Sequence, residues 1–147
     1  MKKIALIDDE GTNISAIAAC LIGVTWPRVF EVQRFALEPE PVDPQAIQIL
    51  QSHFGEKDMA HVMPTLQTGA LPISKFDPNG WYAVITLTGQ AEEACPEIPL
   101  NNQKYFWNLP NAAKFRGSPE NKIEIFERVI EELSWNFREI QKYLFIN

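Results

Sequence analysis

Residues 2–22, KKIALIDDEGTNISAIAACLI, put a short apolar run ahead of a loop with one glycine, and then a long run of small apolar residues. Ile4 to Ile7, flanked by polar residues, reads as a strand, and the run beginning near Ser15 reads as a helix. A strand that feeds a helix through so short a loop returns beside itself only by a crossover, which makes a parallel sheet the expected frame. The helix N-terminus at that loop offers unpaired backbone N–H groups and about half a positive charge, a setting that suits an oxyanion. The loop itself reads Asp8-Asp9-Glu10 and contains no cationic residue. Its charge opposes the ligand that its shape favours.

The rest of the chain continues the alternation. Val29 to Phe35 reads as a strand, and Asp43-Pro44 opens a helix that ends near Gly55, with Asp43 as N-cap and Pro44 in the first turn. From Lys57 to Gly80, Pro64, Gly69, Pro72 and the turn DPNG predict mostly loop with one short helix. Trp81 to Leu87 and Lys104 to Leu109 read as strands. Ser118 and Pro119 open the last helix, where Ile123, Phe126, Ile130, Leu133, Phe137, Ile140 and Leu144 recur at steps of three and four. The pattern predicts a doubly wound α/β fold with helices on both faces of the sheet and ligands at the carboxyl ends of its strands. At 147 residues it forms one domain, 1–147.

Composition narrows the function classes. Hydrophobic residues are 46% and charged residues 22%, ordinary for a folded globular chain. A formal net charge of −6 with dispersed Lys and Arg gives no electrostatic footprint for nucleic acid. No apolar run approaches the ~20 residues of a membrane span, and MKKIALIDDE turns acidic too early for a signal peptide. Two cysteines, Cys20 and Cys95, fit a reducing compartment, so a cytoplasmic protein is expected.

Four segments carry a resemblance: the first strand-loop-helix, LEPEPVDPQAIQIL at 37–50, VITLTGQAEEACPEIP at 84–99, and FWNLPNAAKFRGSPENKIEIFERVIEEL at 106–133. In this order they resemble the low-molecular-weight protein tyrosine phosphatase family, and within it the thioredoxin-coupled arsenate reductase branch. The resemblance implies a three-layer, flavodoxin-like fold with a four-stranded parallel sheet of order 2-1-3-4. It also implies a cysteine nucleophile, an arginine that grips the oxyanion and a serine that supports the thiolate, followed later by an aspartate general acid. In register, those positions hold Asp8, Ile14, Ser15 and Asn111. Only the serine survives. The branch's relay pattern, leucine-cysteine, six residues, cysteine-proline, reads Leu87-Thr88, six residues, Cys95-Pro96, so one sulfur of two is in place.

These substitutions imply a non-catalytic member that acts as a binding or regulatory protein, with a protein partner, no cofactor, and a monomeric or weakly dimeric state. An enzyme of altered chemistry is the alternative, with Asp8 as nucleophile and Mg²⁺ or Ca²⁺ held by Asp8, Asp9 and Glu10. The simpler reading of the loop has Asp8 capping the helix while Asp9 and Glu10 are solvated. A receiver-like domain is more remote, because residues 50–62 supply no strand ending in a phosphoacceptor aspartate. Cys20 and Cys95 read as small buried residues, His53 and His61 lack metal-ligand spacing, and of Trp26, Trp81, Trp107 and Trp135 most read as core.

Overall fold

The computed structural model describes residues 1–99, 103–109 and 119–144. Ser118 and Asn111, and the side chains of Ile140 and Leu144, lie outside the described residues. Element order is β1 (Lys2–Asp8), α1 (Ile14–Thr25), β2 (Phe30–Ala36), α2 (Pro44–His53), α3 (Glu56–Thr68), β3 (Leu71–Pro72), β4 (Ala83–Thr86), α4 (Gly89–Ala94), β5 (Gln103–Phe106) and α5 (Pro119–Leu144).

The sheet is wholly parallel, in the order β3-β2-β1-β4-β5. The expected order 2-1-3-4 is present as β2-β1-β4-β5. The fifth strand is a correction: β3 is two residues long and adds Leu71 beside Phe35 at the edge. So short a strand has no periodicity to read and exists only through its pairing. β1 is central, with Ile4 facing Val32 on one side and Ala83 on the other.

Buried on both faces, β1 reads as a continuous apolar run. Its alternate side chains serve two cores. Ile4 and Leu6 join α1, α2, α3 and α5, whereas Ala5 and Ile7 pack with Phe35, Phe76, Val84 and Ala91 on the other face. Every residue of α1 from Ile14 to Ile22 is buried. Its small side chains permit close approach: a Cβ added at Gly23 would lie 2.7 Å from Val62 Cγ1 of α3.

Three local expectations change. The stretch expected to be mostly loop forms the thirteen-residue α3, with Pro64 inside it. Buried Met59, Val62 and Leu66 supply a packing face that outweighs the backbone bond lost at Pro64. The short α4 follows β4, capped by Thr88 Oγ1, which accepts from Ala91 N at 3.1 Å. On α5 the buried stripe is Phe126, Val129, Ile130, Leu133 and Phe137, while Ile123 is exposed near the helix start. Trp26 and Trp107 both meet Phe137 edge-on, at 5.7 and 5.2 Å between ring centroids, and thereby tie α5 to the start of β2 and the end of β5.

Candidate functional site

The loop between β1 and α1 lies at the carboxyl end of the central strand, where open α/β sheets place their ligands. Its backbone is held on every side. The carbonyls of Asp8, Asp9, Glu10 and Thr12 accept from Leu37, Glu38, Glu40 and Asp43 N–H groups at 2.8–3.2 Å. Asn13 O accepts from Ile17 within the helix, and Gly11 O accepts from Arg34 Nη1 at 2.9 Å. All six carbonyls from Asp8 to Asn13 are therefore committed to neighbours. Gly11 is a geometric requirement, because φ is +75° and an added Cβ would lie 2.8 Å from Ala70 Cβ.

Asp8 is buried, and its Oδ2 accepts from Ser15 N, in the first turn of α1, at 3.0 Å. This is the capping role expected of it, reached from seven residues away. Its Oδ1 has no hydrogen-bond partner among the described residues. Burial raises the Asp8 pKa to about 6, against the opposing pull of the Ser15 N–H and hydroxyl, the Arg34 charge and the Gly11 N–H.

Arg34 enters the loop from β2. It is 1% exposed, donates to Gly11 O and, at 3.2 Å, to Ser15 Oγ, and its Nη2 approaches Leu66 O at 3.5 Å. Burial pulls its pKa down while Asp8 pulls it up. Asp8 and Arg34 make no direct ion pair, and Ser15 stands between them. Its N–H serves the carboxylate and its hydroxyl oxygen takes the guanidinium.

The loop, without a cationic residue of its own, has one underneath. Arg34 passed unread because a lone arginine in FEVQRFA suggests the solvent side of a half-exposed strand. One signal was available: in a parallel strand buried on both faces, an arginine must be partnered.

The remaining candidates sort as follows. Ile14, at the position where the resemblance places an arginine, is 1% exposed in the apolar core. Asp9 is not solvated as expected: it is 7% exposed, and its Oδ1 accepts from Thr88 Oγ1 at 2.6 Å. Glu10 is half-buried. The three carboxylates diverge toward different partners, and among the described residues no group of three or more His, Cys, Asp or Glu side chains is placed to hold a metal ion.

Thr88, at the first sulfur position of the relay pattern, thus caps α4 and ties it to the loop. Cys95 is half-buried, with Sγ 3.4 Å from Pro96 O. Burial raises its thiol pKa, Lys104 opposes this, and Glu92 adds to it. Cys20 is in the core as expected, its pKa pushed to about 12 by burial and by Asp58. Thr86, Glu92 and Lys104 form a small polar cluster, with Lys104 Nζ 2.5 Å from Glu92 Oε2. His53 and His61 are exposed. Trp26 is core, Trp81 and Trp107 are half-buried, and Trp135 is 60% exposed. Among the described residues no helix is long and apolar enough to cross a membrane.

Fold and loop together define a doubly wound α/β domain with an anion-type strand-loop-helix on its central strand. The solved structures that share this fold are arsenate reductases. One in an oxidized state superposes with a TM-score of 0.73 at 18% identity, covering 98% of this chain and 99% of the other. One in a phosphate-binding state gives 0.70 at 18% identity, with the same coverage. In sequence, an arsenate reductase of Halalkalibacterium halodurans is 38% identical over 50 residues, 34% of this chain and 36% of that protein. One from Oceanobacillus iheyensis is 26% identical over 113 residues, 77% of this chain and 73% of that protein. The first match thus spans about a third of that relative's length. No family model matches the chain. The chain is related to arsenate reductases and has their fold.

Proposed function

We propose that this chain is a non-catalytic member of the low-molecular-weight phosphatase and arsenate reductase family, and that it works as a cytoplasmic binding or regulatory protein. The observation that carries this reading is Asp8. At the position where the resemblance places a nucleophilic thiol stands a buried carboxylate, already bonded to Ser15 N–H. A carboxylate so held is spent on the fold: attack on phosphorus would break its bond to α1 and expose its dianionic target to Asp9 and Glu10. Ile14 in the core leaves no arginine within the loop, and Thr88 in place of a first relay sulfur supports the same conclusion.

The test is turnover. Aryl-phosphate hydrolysis, with and without Mg²⁺, and thioredoxin-coupled arsenate reduction should both stay at the buffer rate. Hydrolysis above that rate that disappears in Asp8→Asn would make Asp8 a nucleophile and defeat the reading.

A further inference from the structure

We propose that the Asp8 carboxylate is the resident anion of its own loop, a tethered occupant seated between the Ser15 N–H and the Arg34 charge, and that a small tetrahedral oxyanion takes the loop once that carboxylate is neutralised. The inference deepens the non-catalytic reading and rests on it in one respect: the charge at position 8 is structural.

Three features carry it. All six carbonyls of the loop are engaged elsewhere, and Asp8 itself receives the N–H of Ser15. A full positive charge is held 1% exposed beneath the loop, with Nε lacking a hydrogen-bond partner among the described residues and no carboxylate in direct contact. Such a cation costs free energy unless a negative charge lies nearby, and Asp8, reached through Ser15, is the negative charge available. Finally, Asp8 Oδ1 is buried without a partner, so the carboxylate fills the space only half-satisfied. An oxyanion, with more acceptor oxygens, would meet the Ser15 N–H and the Arg34 field together. The cation is contributed by the neighbouring strand, outside the loop.

Sulfate, which stays dianionic, is the probe, added at pH 7.5 and fixed ionic strength while the Ser15 and Gly11 amide resonances are followed. The intact protein should show no saturable shift. Asp8→Asn or Asp8→Gly should bind at least ~10-fold more tightly than the intact protein. Adding Arg34→Lys to the binding variant should weaken it again, since a flexible ammonium does not reproduce the planar fork. The proposal is overturned if both Asp8 variants keep a dispersed native spectrum without binding, if the intact protein binds equally well, or if the arginine change leaves affinity untouched. Neither Asp8 variant introduces a nucleophile. Turnover by the intact protein would defeat the non-catalytic reading, whereas absent sulfate binding would defeat this one.

Discussion

The loops that follow β1 and β4 start from the same plan, a parallel strand turning into a helix at one edge of the sheet, and they are finished in opposite ways. The β1 loop buries a carboxylate and a guanidinium with serine between them and leads into a twelve-residue helix packed in the core. The β4 loop uses one neutral hydroxyl, Thr88, to cap a six-residue helix. Charge inside the fold must be answered by charge, while a neutral cap needs only its hydrogen bonds. The single bond from Thr88 Oγ1 to Asp9 Oδ1 joins the two designs. Rupture of the first loop should therefore be costly and pH-dependent, and rupture of the second modest and pH-independent.

Arg34→Met breaks the comparison hardest. It strands the Asp8 carboxylate and frees Gly11 O, so denaturant unfolding at pH 7.5 should show a loss of about 3–5 kcal/mol. The loss should shrink at pH 5, where Asp8 is protonated in the folded state. Gly11→Ala should cost about 2–3 kcal/mol at either pH, because the strain is steric: a positive φ and a Cβ 2.8 Å from Ala70. Thr88→Val removes the α4 cap and the Asp9 bond together, for about 1–2 kcal/mol by thermal unfolding. Cys95→Ser should fall within ~0.5 kcal/mol, since its thiol makes a single contact, with Pro96 O. Equal costs for the arginine and threonine changes would erase the distinction between the loops.

Much of the frame was legible from the chain alone, for physical reasons that also mark where reading stopped. β1 and β4 are apolar runs buried on both faces, and the α5 stripe repeats often enough that Val129 in place of Ile123 alters its edge and not its existence. α3 was hidden by Pro64, whose breaking tendency is a local signal, while the face of Met59, Val62 and Leu66 that overrides it is tertiary. β3 exists only as a partner of β2. At the site, Asp8, Ser15 and Thr88 were all picked out by position. Arg34 was not, because its role depends on three contacts 19–32 residues away in the chain. The same distance explains Asp9: nothing near it in sequence announces Thr88 as its partner, so it read as solvated.

The most direct measurement is the titration of the Asp8 side-chain carboxyl carbon by NMR, followed alongside the Ser15 amide. Burial outweighs the bonds to the carboxylate, so the midpoint should lie about 6, raised from 3.8, and the Ser15 amide should report the same midpoint. A carboxyl that binds its proton more tightly folded than unfolded withdraws stability as pH rises from about 4 to 6, about 3 kcal/mol in full, with no further change from this group above that window. A midpoint in the ordinary carboxylate range, with a Ser15 amide indifferent to it, would mean that Asp8 faces water and that the loop holds no anion of its own.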